Sequence, residues 1–134
     1  MALSVELVNP EGEIWSGQAE LVIARTLDGE IGILTGHAPV IGILAEGSTV
    51  TIRASQPADP DVFAAVSGGF LSVADDRVSI LAKQALLGQQ VNVTATKAAL
   101  DQALAAAGPA AGGPDEPADV RYYRALLEAA EESG

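Results

Sequence analysis

His37 is the one histidine in 134 residues, set in Leu34-Thr35-Gly36-His37-Ala38-Pro39. An imidazole titrates near neutrality and can act as a general base. No acid or nucleophile adjoins it in sequence, and the glycine-proline setting favours a ring that bridges backbone groups in a loop. Ser67-Gly68-Gly69-Phe70 offers the glycines of a phosphate cradle. Such cradles open a helix and usually carry a lysine. Here strand-type sequence follows and no lysine is near in sequence, so a β-bulge or tight chain crossing is expected. Arg121-Tyr122-Tyr123-Arg124 gathers two of the seven basic residues and both tyrosines. Guanidinium groups suit an acidic partner or a phosphate. Glu128, Glu131 and Glu132 follow closely, and Arg124 stands four residues before Glu128. A partly neutralised helix face, with Tyr123 packed inward, is the favoured reading. Acids otherwise fall singly in turns, with no paired carboxylates and no Ser/His/Asp set.

Composition removes further classes. Cysteine is absent, which excludes disulfides, thiolate catalysis and cysteine-zinc sites, and one histidine cannot build a multi-histidine metal site. No metal or other cofactor is expected. The net charge is −11, with 18 acids against 7 bases, which argues against nucleic acid or anionic lipid as partners. No apolar run approaches the roughly 20 residues of a membrane span. The start, Met1-Ala2-Leu3-Ser4-Val5, has neither the basic nor the apolar region of a signal peptide. These features argue against direct binding to a membrane or to nucleic acid.

The elements that must position these residues change character near Gly88. Residues 1–88 are rich in valine, isoleucine and leucine, which favour strands. Residues 89–134 hold 13 alanines, the best helix former. The first part carries 11 acids and 4 bases and the second 7 and 3, so neither is a basic arm. Leu3, Val5 and Leu7 alternate with polar residues, as do Thr49 to Arg53, giving the period of half-buried strands. Further strands are predicted around Ile14-Trp15, over Leu21 to Ala24, Glu30 to Leu34, Val40 to Leu44, Val62 to Val66 and Phe70 to Val73, and from Arg77 to Leu81. Trp15, Phe63 and Phe70 are expected in the core. Short strands at this spacing, with no intervening helices, predict an antiparallel sandwich or barrel.

Two helices follow. The first is predicted from about Thr94 to Ala107, with Leu100 and Leu104 on one face. The second begins near Pro117, with an apolar stripe at Val120, Tyr123, Leu127 and Ala130. The segment from Gly108 to Glu116 holds three glycines and two prolines and reads as a mobile loop. An antiparallel hairpin with alanine faces buries little area and is expected to be the weaker part of the molecule.

Three segments carry a resemblance. They are Val5-Glu6-Leu7-Val8-Asn9-Pro10-Glu11-Gly12-Glu13-Ile14-Trp15-Ser16-Gly17, Gly29-Glu30-Ile31-Gly32-Ile33-Leu34-Thr35-Gly36-His37-Ala38-Pro39-Val40, and Ala65-Val66-Ser67-Gly68-Gly69-Phe70-Leu71-Ser72-Val73. Together they resemble the epsilon subunits of rotary ATP synthases of bacterial type. The resemblance implies an antiparallel β-sandwich of about ten strands over residues 1–88 and a regulatory two-helix hairpin over 89–134. It implies a non-catalytic central-stalk role on the cytoplasmic side of the bacterial plasma membrane. The sandwich would bind the gamma subunit and the membrane c-ring, coupling proton flow to ATP synthesis. The hairpin, when extended, would reach the catalytic alpha/beta head and block ATP hydrolysis.

The loop with Glu30, Gly36 and His37 looks like the family's lower contact, and Arg121 and Arg124 are further candidate contacts. Nucleotide-binding members carry Ile-Asp-x-x-Arg-Ala where this chain has Val91-Asn92-Val93-Thr94-Ala95-Thr96. Aspartate and arginine are both missing, so weak or absent ATP binding is expected. Two rival readings are a nucleotide sensor whose hairpin closes on ATP through Arg121 and Arg124, and a hydrolase using His37.

Overall fold

Alternating burial shapes the seven strands of the structure, a computed structural model that describes residues 2–113 and 116–133. They are β1 (Leu3–Asn9), β2 (Gly12–Thr26), β3 (Gly29–Ile33), β4 (Val40–Ile43), β5 (Ser48–Ala54), β6 (Val62–Ala74) and β7 (Arg77–Leu87). In β1, Leu3, Val5 and Leu7 are buried while Ser4 and Glu6 face out. A strand places successive side chains on opposite faces, so this alternation assigns one face to the core.

The three long strands each serve two layers. The first half of β2 pairs with β1, whereas its second half pairs with β3 and β5 across a register shift between Ala19 and Leu21. The first half of β6 pairs with β5 and its second half with β4. β7 follows β6 throughout, and its first half also pairs with β1. Counted by halves, the sandwich has ten segments in two layers. This explains why seven strands satisfy an expectation of about ten, and why Val62 to Val66 and Phe70 to Val73 read as separate strands.

One pairing departs from the antiparallel pattern: β1 and β7 run parallel, from Ser4↔Arg77 to Val8↔Leu81. No hairpin joins these two strands, so nothing local fixes their relative direction. The β6–β7 turn is the expected Asp75-Asp76, with φ of 49° and 60°. Both central residues at positive φ match the turn that suits the right-handed twist of a hairpin.

Leu3, Leu7, Val22, Ile33, Val50, Ile52, Leu71, Val73, Val78 and Ile80 fill the space between the layers, each at most 2% exposed. Burying such a side chain stabilises by about 1.5–3 kcal/mol. Trp15 is half-buried against this core, as expected.

A single 3-10 turn, Gly88–Gln90, leads into α1 (Val93–Ala107), and α2 (Ala118–Ser133) follows. Asn92 caps α1: its side-chain oxygen accepts from the Ala95 N–H at 3.0 Å. Such a cap contributes about 1 kcal/mol. The helix ends at Gly108, whose φ of 56° suits a residue without a Cβ. α1 packs against α2, and α2 packs against β5 and β6. Ala125, Leu126 and Ala129 of α2 are buried with Ala65, flanked by Phe63, Leu86, Tyr122 and Tyr123.

The apolar stripe expected on α2 is therefore incomplete. Val120 is buried, but Tyr123, Leu127 and Ala130 are only half-buried. A second line through Ala125, Leu126 and Ala129 makes the sandwich contact. A helix wedged between a sheet and another helix needs two apolar faces, and alanine conceals one of them in the sequence.

Hydrogen bonds tie parts of the segment expected as a loop, residues 108–116. Ala111 donates to Gly108, Gly113 to Ala110 and Glu116 to Gly113 through backbone hydrogen bonds. The Gly112 N–H donates to the Glu116 carboxylate. Arg124 Nη1 donates to both Glu116 oxygens at 2.8 Å. Pro114 and Asp115 lie outside the described residues.

Candidate partner interface

One outer face of the sandwich is apolar where a solvated sheet would be polar. Ile43, Phe70 and Leu81 stand side by side on β4, β6 and β7. Ile41 is 78% exposed and Phe70 54% exposed, with Ile43, Leu81 and Leu27 also open to solvent. Leu27 joins the group because its N–H donates to the Ile43 carbonyl at 2.9 Å. Single exposed apolar residues are ordinary, but a contiguous group marks an interaction surface. Phe70, expected in the core, belongs to this face instead. Leu71 and Val73 take the inward positions of β6, and a one-residue change of parity moves a side chain to the opposite face.

The patch borders a concavity of about 400 Å³ lined by Leu27, Ile43, Phe70, Glu46, Lys83 and Arg121, among others. Gly68 and Gly69 form part of its wall, with φ of 68° and 111°. A side chain on Gly69 would collide with the Leu81 carbonyl, so the tight crossing expected there is present. The β6–β7 register continues unbroken through this point, without an extra residue. Lys83 of β7 lies beside Gly68. The sequence shows no lysine near the glycines because the hairpin supplies it from 15 positions away.

The candidate contact residues separate in space. The Gly36 N–H donates to Asp76 Oδ1 at 2.7 Å, tying the loop of residues 34–39 to the β6–β7 turn. His37 Nδ1 lies 2.7 Å from the Ala38 carbonyl, and the His37 N–H donates to the Leu34 carbonyl at 3.1 Å. The ring thus engages backbone, as its loop setting suggests. Glu30 is not beside them. It stands near the other end of β3, 3.8 Å from Arg25, in a shallow cleft shared with Glu128 and Glu132 of α2. Four strand steps, roughly 14 Å, separate Glu30 from Leu34.

The two arginines also diverge. Arg121 lines the apolar concavity and packs over Gly47. Arg124 turns to Glu116, whose side chain is 5% exposed, and not to Glu128 as the four-residue spacing suggests. The charge-assisted contact of Nη1 with both oxygens of a sheltered carboxylate outweighs a solvated pair along the helix. Burial raises the Tyr122 phenol above its usual value, because the phenolate would lose its hydration against the sandwich.

Among the described residues no group of His, Asp and Glu could hold a metal ion. Among the described residues no helix is long and apolar enough to cross a membrane.

Residues 2–88 match the sequence model of the family described as "ATP synthase, Delta/Epsilon chain, beta-sandwich domain". An ATP synthase epsilon chain of Streptomyces griseus is 46% identical over 119 residues, covering 89% of this chain and 91% of that one. One from Thermobifida fusca is 50% identical over 102 residues, covering 75% and 74%. Among solved structures, a chain of the Euglena gracilis mitochondrial ATP synthase superposes with a TM-score of 0.72 at 20% identity, covering 98% of this chain and 80% of that one. A chain of the Tetrahymena thermophila mitochondrial ATP synthase central stalk and c-ring gives 0.57 at 14% identity, covering 95% and 97%. These structural likenesses establish the fold, and the sequence matches extend from the sandwich into the hairpin. The chain belongs to the ATP synthase delta/epsilon family and is similar to its epsilon chains.

Proposed function

We propose that the chain is the rigid foot of the rotor, binding the gamma subunit through the apolar face and the c-ring through the loop around Gly36 and His37. Ion-driven rotation is thereby coupled to ATP synthesis, on the cytoplasmic side of the bacterial plasma membrane. The observation that carries this reading is the contiguous exposed group Ile41, Ile43, Phe70, Leu81 and Leu27 on a sandwich with a continuous buried apolar core. Packed interiors have low compressibility, which suits a part that transmits force. Glu30 lies away from that loop and is assigned no ring contact. Arg121, beside the apolar concavity, is placed at the margin of the gamma contact, whereas Arg124 serves the hairpin turn.

The hairpin supports a regulatory role. α1 is held by α2, and α2 is held on the sandwich largely by alanines, so it can leave at modest cost. Extended, it would reach the alpha/beta head and restrain ATP hydrolysis.

Co-purification from membranes tests the assignment. A tagged wild-type chain should bring down gamma and the c-ring. Phe70→Glu combined with Ile43→Glu should lose gamma while the isolated subunit melts as before, because both positions are exposed. Full recovery of gamma with the double variant refutes the apolar face as the binding surface. Deleting residues 89–134 should raise hydrolysis by the assembled enzyme, and unchanged hydrolysis removes the inhibitory role.

A further inference from the structure

Two glycines of the sandwich meet one face of α2 near its two ends. Gly47 precedes β5, and a Cβ there would overlap the Arg121 Cβ and the Tyr122 backbone nitrogen. Gly88 follows β7, and a Cβ there would overlap the Ala129 carbonyl and the Ser133 hydroxyl. Between them, Ala65 of β6 is fully buried in one cluster with Ala125. Arg121, Ala125 and Ala129 are four residues apart, so they form a single line along the helix.

The register of the sheet fits this line. Strands β5, β6 and β7 are consecutive neighbours, with Thr49 opposite Ala65 and Ala65 opposite Leu86. A helix crossing these strands obliquely sets one turn on Gly47, the next over Ala65 and the next on Gly88.

We propose that Gly47 and Gly88 are paired seats that fix α2 on the sandwich in one position. At both seats helix backbone comes into contact beside the Arg121 Cβ and the Ser133 hydroxyl, so a side-chain adjustment alone cannot make room. Sliding by one residue brings Tyr122 in place of Arg121 to Gly47 in one direction and Glu128 in place of Ala129 to Gly88 in the other, each bulkier than the residue it replaces. The docked hairpin is thus a discrete state that releases as a unit, which gives a switch its sharpness. This deepens the regulatory reading above and rests on it for its biological use, but the seats themselves are testable in the isolated subunit.

The test is amide hydrogen exchange on the full-length chain. Gly88 carries no positive φ, so Gly88→Ala adds a methyl without backbone strain. α2 amides should exchange about tenfold faster or more, while β1 to β7 keep wild-type protection. Gly47 has φ of 64°, so Gly47→Ala adds strain as well as bulk. Gly47→Asn supplies a residue that tolerates this backbone, yet it retains the Cβ. Both Gly47 variants should free α2 to a similar extent, and trypsin should cut faster after Arg121 and Arg124.

Exchange of α2 within twofold of wild type in Gly88→Ala and Gly47→Asn overturns the proposal. So does loss of protection throughout the sandwich, which would make the glycines part of the β fold and not seats for the helix. Failure on either count leaves the partner-binding result untouched, and loss of partner binding would leave the seats standing.

Discussion

Removing the Arg124 guanidinium should open the turn between the helices. Glu116 has a side chain only 5% exposed, and Arg124 is its ion-pair partner at 2.8 Å, itself 46% exposed. Breaking a fully buried pair costs about 3–5 kcal/mol, because a charge is left stranded. A fully exposed pair is worth about 0–1 kcal/mol. One sheltered and one half-open partner place Arg124→Ala between these limits, at about 2 kcal/mol. That raises the opening constant of the turn roughly 30-fold.

Glu116→Gln keeps an oxygen for the Gly112 N–H and removes the charge, so about 1 kcal/mol is expected. Adding it to Arg124→Ala relieves the stranded carboxylate, and the double variant should recover at least 1 kcal/mol relative to the sum. Hydrogen exchange over residues 108–113 and α1 measures the opening, with the sandwich as internal reference. If both single variants exchange as wild type, or if the double variant is additive, the ion pair does not hold the turn.

Other outcomes follow from the same structure. Leu71→Ala should lower stability by about 2–5 kcal/mol in denaturant melts, since this side chain is fully buried in the sandwich core. The raised pKa of Tyr122 means that the docked helix prefers the neutral phenol. Its stabilising contribution is therefore complete below the usual tyrosine value of about 10 and is lost as pH rises through the folded value. A Tyr122→Phe variant should lose the late phenolate step in an ultraviolet titration, and retention of that step refutes the assignment. ATP should neither raise the melting temperature nor give heat in calorimetry, because Asn92 is spent on capping α1 and Ala95 stands where nucleotide-binding relatives carry arginine. Micromolar affinity refutes this.

The strand pattern was legible because alternation writes burial directly into the residue order. Leu3, Val5 and Leu7 show it without ambiguity, and the change at Gly88 from β-branched residues to alanine marks where helices begin. Phe70 misled because an aromatic on a strand usually faces the core, and only the parity set by Leu71 and Val73 reveals otherwise. The Glu116–Arg124 pair was hidden by a nearer acid at helical spacing, Glu128. The role of Gly88 left no local trace: its neighbour Ala129 lies 41 positions later in the chain. Lys83 beside Gly68 is invisible for the same reason. Chemistry assembled by hairpins and docked helices is written in topology, which residue types and short spacings do not encode.

β2, β6 and β7 each pass from one layer of the sandwich to the other without leaving strand conformation. The layers are consequently joined by peptide bonds as well as by side-chain packing. A sideways pull on one layer cannot shear it past the other unless three covalent backbones lengthen. Strain entering at the face with Phe70 thus runs along β6 to Phe63 and Ala65, beneath α2, by a path that no loosening of the core would interrupt.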